Sequence, residues 1–195
     1  LGRVLRLCAG DAVLLSSGDG RVAEAVIEQV GRDETRCRVL KVYENYHEPA
    51  VAVTLCQAVL KNHNKLDWLV EKGTEVGMRA FLPLLSDHTI AQAVRLARLQ
   101  KLAETAAKQF QRGRIPRILK PQHLSSAIGS LEAVRILLFH ESAPPETVPE
   151  SLTLDERPIA LFVGPEGGFS EAEVRVLQEK GADVLSLGPR RLRGE

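Results

Sequence analysis

Apolar positions change their spacing once along the chain, near residue 46. Before that point they form short extended segments at residues 3–7, 12–16 and 21–30, separated by Ala9-Gly10-Asp11 and by Ser17-Gly18-Asp19-Gly20. Val22, Val26, Ile27 and Val30 would also fit a helix, but the Gly-Asp-Gly turn ahead of them favours a hairpin. Residues 1–46 therefore read as a small β-rich module. The polar segment 44–49 ends in Pro49 and makes a linker into a different pattern.

From residue 50 onward, strands alternate with helices. Residues 50–60 are apolar and β-branched. Leu66, Leu69, Val70, Gly73 and Val76 recur at helical spacing, with Gly77 as the residue just past the helix end. Residues 81–85 read as a strand, 91–110 as a long helix, 115–119 as extended, a short helix follows Ser125, and 134–139 form another strand. Residues 159–163 predict a buried strand. Ser170 and Glu173 predict a capping box, Gly181 a helix end, and residues 184–187 a last strand. The proline-rich stretch 142–149 reads as a surface excursion. Such alternation predicts a parallel sheet covered on both faces, hence an α/β domain over residues 47–195.

Composition is that of a globular protein, 44% hydrophobic and 26% charged over 195 residues. No apolar run approaches the roughly 20 residues that span a bilayer, and no export signal opens the chain, so no membrane association and a cytoplasmic location are expected. Cys8, Cys37 and Cys56 include no C-x-x-C pair, and the five histidines lack ligand spacing, so neither disulfides nor a metal site is expected. Leu1 in place of Met, and an end at Glu195 within an Arg-rich segment, predict that both ends are incomplete.

Formal charge is only +1, but it is unevenly spread. Residues 95–120 hold eight basic side chains (Arg95, Arg98, Lys101, Lys108, Arg112, Arg114, Arg117, Lys120) against Glu104 alone, a net +7 that leaves −6 for the rest. A stripe of this kind is either a solvated helix face or the footprint of a phosphate backbone. With 4% aromatic residues, a single-strand stacking platform is not the expected main binding mode.

Ligands of open parallel sheets collect at the carboxyl ends of strands. Three such loops hold candidate chemistry: His140-Glu141, Gly164-Pro165-Glu166-Gly167-Gly168, and Leu187-Gly188 through Arg190, Arg191, Leu192 and Arg193. Paired glycines before a helix let backbone approach a ligand closely, although the same pair also makes an ordinary strand-to-helix turn. G-x-G-x-x-G, the P-loop and G-x-S-x-G are all absent, which disfavours a dinucleotide fold, a P-loop NTPase and a serine hydrolase.

Several segments in order resemble one family. Lys72-Gly73-Thr74-Glu75-Val76-Gly77, Ala106 through Arg112 followed by Ile115-Pro116, Gly164-Pro165-Glu166-Gly167-Gly168-Phe169-Ser170 with Glu173, and Leu187-Gly188 through Leu192-Arg193 resemble the motifs of the ribosomal RNA small subunit methyltransferase E family. That family belongs to the SPOUT superfamily of knotted methyltransferases, and Arg3 through Arg6 with Gly10-Asp11 fit the start of its PUA-like N-terminal barrel. The resemblance implies a trefoil-knotted parallel-sheet domain at 47–195 after a PUA-like RNA-binding domain at 1–46. It also implies S-adenosyl-L-methionine as cofactor, a homodimer, and methylation of N3 of a uridine in the decoding region of 16S rRNA within the small ribosomal subunit.

The implied cofactor residues are His140, Glu141, Gly164, Pro165, Glu166, Gly167, Gly168, Leu187, Gly188, Arg191, Leu192 and Arg193. Arg3, Arg6, Lys108, Arg112 and Arg114 are the implied RNA contacts. Uridine N3 carries a proton at neutral pH, so catalysis calls for proton removal, assigned to Glu166, and for anion stabilisation, assigned to Arg112 and Arg193. Where the family has an acidic residue this chain has Lys108, where it has a small one Phe110, and where it has the first Thr of its ending Gly194. Two other readings stay open: a related knotted methyltransferase acting on another RNA, and an RNA-binding or assembly protein whose catalysis is impaired.

Overall fold

The computed structural model describes residues 7–90, 93–131, 133–148, 155–190, 192 and 194. The expected extended segment 3–7 lies largely outside them. The chain divides into two compact units, one of Leu1–Glu48 with Ala107–Ile115, the other of Pro49–Ala106 with Pro116–Glu195. Residues 107–115, within the span 47–195, group with the first unit.

In the first unit, β1 (Ala12–Ser16), β2 (Val22–Val30) and β3 (Thr35–Tyr43) form an antiparallel sheet in the order β1-β2-β3. Of the expected barrel, these are the strands present among the described residues. The turn joining β1 to β2 is closed by Ser17 N–H donating to the Arg21 carbonyl at 3.2 Å. The Arg21 guanidinium and the Ser17 hydroxyl beside Asp19 hold its carboxyl well below the usual carboxylate range. Val22, Ala25 and Ile27 are buried on β2.

Segment 107–115 joins this unit through backbone bonds. Gly20 N–H donates to the Gly113 carbonyl at 3.0 Å, Gly113 N–H to Tyr46 at 3.1 Å, and Ile115 N–H to Gly18 at 3.0 Å. A Cβ on Gly113 would stand 2.9 Å from the carbonyl oxygens of both Gly20 and Tyr46. Only glycine allows these segments of the chain to approach this closely.

The second unit is built on β4 (Val53–Ala58), α1 (His63–Glu75), β5 (Ala80–Leu85), α2 (Leu96–Gln109), β6 (Arg117–Ile118), β7 (Gln122–His123), α3 (Leu124–Gly129), β8 (Arg135–Phe139), β9 (Ile159–Val163), α4 (Glu171–Glu179) and β10 (Asp183–Leu185). Seven strands make one sheet in the order β10-β8-β9-β4-β5-β6, with β7 also on β5. Every pairing in it is parallel. The long helix starts at Leu96, later than the sequence pattern suggested, and the extended segment 115–119 contributes only two residues to the sheet.

Side chains alternate across this sheet, as a period of two requires. Cys56, Ala58, Leu82, Leu84, Ile136, Leu138, Ala160 and Phe162 face α3 and α4, where Leu124, Ala127, Ile128, Phe169 and Leu177 close the core. Leu137, Ile159 and Leu185 face the other way with Val53, Phe139 and Leu161. That second cluster is smaller and, among the described residues, contains no helical side chain. The cap of α4 forms as the sequence indicates. Ser170 Oγ accepts from Glu173 N–H at 3.3 Å and Ser170 N–H donates to Glu173 Oε2 at 2.9 Å.

Candidate functional site

β8, β9 and β10 lie side by side, and the chain leaves each at the same end of the sheet. The three loops that follow them meet in one cavity of about 970 Å³. It is lined by His140 and Glu141 after β8, by Gly164, Pro165, Glu166, Gly167 and Gly168 after β9, and by Leu187, Gly188, Pro189, Arg190, Leu192 and Gly194 after β10. Phe139, Val163, Phe169 and Leu185 supply apolar wall, and Lys65 reaches it from α1. Arg191 and Arg193 lie outside the described residues, as do Arg3 and Arg6.

The cavity holds its shape through bonds between strand ends. His140 N–H donates to the Leu185 carbonyl at 3.1 Å, which joins the first and third loops. Ser142 N–H donates to His140 Nδ1 at 3.2 Å, and the Ser142 hydroxyl lies 2.7 Å from the same nitrogen. Gly188 N–H donates to Ser186 Oγ at 3.1 Å, which folds the third loop onto its own strand end.

The glycine loop has supports on two other elements that sequence reasoning passed over. Gln57, buried at the end of β4, directs its amide Nε2 at the carbonyls of Ala58 (3.1 Å), Val163 (3.4 Å) and Gly164 (3.0 Å). His88, in the loop after β5, places Nδ1 3.1 Å from both the Gly167 and the Gly168 carbonyl oxygens. Two acceptors facing one ring nitrogen require that Nδ1 carry the proton. Asp87 extends the same link, its N–H donating to Glu173 Oε1 at 3.0 Å and its carboxylate accepting from the Ser170 hydroxyl at 2.6 Å. A polar Gln inside an apolar strand and the Asp-His pair after β5 were the available signals.

Close backbone approach explains the glycines. A Cβ on Gly164 would fall 3.0 Å from the Gly168 carbonyl carbon and 3.0 Å from Phe169 N, whereas Gly168 has φ +70° and its missing Cβ would meet open space. The loop can therefore curl against itself and present main chain to the cavity. Size and lining suit a nucleoside-sized ligand with an apolar body and a few polar groups.

Glu166 lines the cavity, and its carboxylate accepts the Lys61 N–H, at 3.1 Å from Oε1 and 3.4 Å from Oε2. Arg112, expected to act on the reacting base, does not line the cavity. It lies in the first unit with its side chain only 3% exposed, committed to Glu48. Arg114 is half-buried in the same unit and Lys108 is exposed on α2. Among the described residues, no group of three or more His, Cys, Asp or Glu side chains is placed to hold a metal ion, and no helix is long and apolar enough to cross a membrane.

A chain with this parallel-sheet domain and an antiparallel β module before it matches RNA methyltransferases in sequence and in structure. Residues 47–195 match the RNA methyltransferase domain family and residues 1–40 the RNA methyltransferase PUA domain. The chain is 32% identical over 205 residues to the ribosomal RNA small subunit methyltransferase E of Mycobacterium bovis, covering 97% of this chain and 76% of that protein. It is 29% identical to the Bacillus subtilis protein of the same name, over 98% of this chain and 80% of the relative. The Neisseria gonorrhoeae ribosomal RNA small subunit methyltransferase E, crystallised bound to S-adenosyl methionine, superposes with a TM-score of 0.85 at 25% identity, over 99% of this chain and 81% of that one.

The chain belongs to the ribosomal RNA small subunit methyltransferase E family. The enzyme class and the S-adenosylmethionine cofactor expected from the motifs are those of the family.

Proposed function

We propose that this protein transfers a methyl group from S-adenosylmethionine to N3 of a uridine in the decoding region of 16S rRNA. The observation that carries the reading is the convergence of the three motif-bearing loops on one cavity at the ends of β8, β9 and β10. S-adenosylmethionine supplies, when bound, an electrophilic methyl group on a sulfonium, a chemistry that needs no metal. His140, Glu141, the loop Gly164 to Gly168, Leu187, Gly188 and Leu192 hold it, with Arg191 and Arg193 assigned to the same loop from their motif.

The chain's own task is then to bring an acceptor nitrogen into line with the methyl carbon and to deal with its proton. N3 lies on the pairing edge, so the uridine must be unpaired or flipped out to react. Glu166, a carboxylate already oriented by the Lys61 N–H, is the proton acceptor in this scheme. Arg193 stabilises the negative charge that spreads onto O2 and O4. Arg112 acts at one remove as a positioning residue, since its guanidinium is committed to Glu48. Lys108, Arg114 and, from the motif, Arg3 and Arg6 are assigned to the RNA phosphates, with the PUA-like domain at 1–46 and the catalytic domain at 47–195, whose segment 107–115 groups with the first unit. The trefoil knot, the homodimer, the small ribosomal subunit as partner and the cytoplasm as location follow from the same reading.

Reverse transcription across 16S rRNA tests it, in a strain lacking this gene with and without the gene restored. An N3-methyl group blocks pairing, so restoration should create one polymerase stop at a uridine. Identical stops in both strains would refute the target. A calorimetric titration with S-adenosylmethionine checks the cofactor separately, and a chain that binds RNA but no cofactor would point to the RNA-binding reading instead.

A further inference from the structure

The first unit contains an aromatic stack that plays no part in the methyl-transfer cavity. Tyr43 and Tyr46, the only two tyrosines of the chain, have ring centroids 5.4 Å apart and are tilted by 53°. His47 lies on Tyr46 at 4.0 Å and 27°, a stacked geometry. One end of the stack is fixed. Lys41 Nζ stands 4.5 Å from the centroid of the Tyr43 ring, and the Tyr43 hydroxyl donates to Glu24 at 2.7 Å. The other end is His47, which is exposed.

This stack stands on a strained turn. Asn45 has φ 50° and His47 φ 55°, a left-handed conformation that residues with a Cβ adopt at a cost and that tends to mark functional positions. The turn is held from both sides, with Tyr46 N–H donating to the Gly20 carbonyl at 3.1 Å and its own carbonyl accepting from Gly113 N–H at 3.1 Å.

Arg114 adjoins the same turn. Its Nη2 donates to Asn45 Oδ1 at 3.3 Å, and its Nε is buried with no hydrogen-bond partner among the described residues. Unsatisfied buried donors are rare in native proteins. A guanidinium held by one long bond is easily re-aimed at a phosphate oxygen, the partner its planar fork suits. Of the carboxylates nearby, Asp19 is engaged by Arg21 and Glu48 by Arg112, while Glu44 is exposed beside the turn and acts on Arg21 through its charge.

We infer that the turn at residues 45–47, with Arg114, docks one unpaired nucleotide of the RNA, its base laid on the outer face of His47 and its phosphate on Arg114. The inference rests on the RNA-methyltransferase reading, which already gives Arg114 a phosphate, and adds to it a base contact on His47 that the reading does not supply. A low aromatic content does not oppose it, because both tyrosines are spent on this one stack.

Anisotropy titrations of the full chain over a salt series test it, with a short fluorescein-labelled single-stranded RNA and with a duplex of the same sequence. His47→Gly relieves the left-handed strain, so its Tm should hold or rise, yet it should bind the single strand about tenfold more weakly, the loss expected for one stacked base. Duplex affinity and salt slope should not change, and His47→Phe should restore single-strand binding. Arg114→Gln should lower the slope of log K against log salt by about 0.7, one phosphate contact on a single strand. Wild-type single-strand affinity in His47→Gly, or an equal loss on the duplex, overturns the inference alone. Failure of the wild type to bind either RNA removes the methyltransferase reading on its RNA side and the inference with it.

Discussion

Arg112 and Glu48 form a buried two-pronged ion pair, Nη2 to Oε2 at 2.5 Å and Nε to Oε1 at 3.3 Å, and the same Oε1 accepts the Arg114 N–H at 3.0 Å. With side chains 3% and 6% exposed, neither charge can be left alone cheaply. Arg112→Ala or Glu48→Ala should each lower unfolding stability by about 3–5 kcal/mol, read from the urea midpoint. The double variant should cost clearly less than the two single losses together. Cofactor affinity of Arg112→Ala, measured well below its Tm, should stay near wild type. A parallel loss of cofactor binding would place Arg112 in the cofactor site.

Glycine substitutions should sort by where the missing Cβ points. Gly164→Ala puts a Cβ 3.0 Å from the main chain of Gly168 and Phe169, so it should weaken S-adenosylmethionine binding at least tenfold and lower the Tm. Gly168→Ala meets no atom within 4 Å but sits at φ +70°, which costs about 1–2 kcal/mol for a residue with a Cβ. It should lose stability by that amount. Calorimetry and thermal melts on the two variants check the ordering, and equal cofactor affinities would show that the loop does not carry the ligand.

His88 supports the glycine loop through one donor and two carbonyls. Losing that donor leaves both acceptors to solvent, a change worth about 1 kcal/mol. His88→Ala should therefore raise the cofactor Kd about fivefold with a small Tm change. His88→Asn, whose amide can reproduce the Nδ1 donor, should recover most of it. No difference between the two variants would remove the positioning role.

Burial pushes the Cys56 thiol up from its ordinary 9.0 to about 12. The folded state then keeps this proton where the unfolded state loses it, so stability is fully present below pH 9 and declines as pH rises from 9 toward 12. Cys56→Ala should show a shallower decline over that window, measured by urea unfolding at a series of pH values. A thiol reagent at neutral pH should modify exposed Cys8 before Cys56, which should react only on unfolding.

Local patterns made much of this legible. The Ser170-Glu173 box, the end of α1 before Gly77 and the run at residues 159–163 rest on neighbours in sequence, and each appears where the residues indicate. Gln57 and His88 were not visible as supports because their partners stand far along the chain, Gln57 and Gly164 being 107 positions apart and His88 and Gly167 79. The pairing of Arg112 is hidden for a related reason. An exposed-looking basic run gives no hint that one of its members is internally neutralised by Glu48, 64 positions earlier. The two-residue β7 carries too little pattern to be read at all.

The order of strands also sets a timetable for synthesis. β9 lies between β8 and β4, both of which precede it in the chain, so a nascent chain that has emerged as far as β8 holds two strand edges waiting for a third. Such open edges pair readily with other chains, and the strand that fills the gap ends in the glycine loop. The cofactor pocket thus cannot form before β9 has emerged, and occupancy of that pocket reports that the centre of the sheet has been closed.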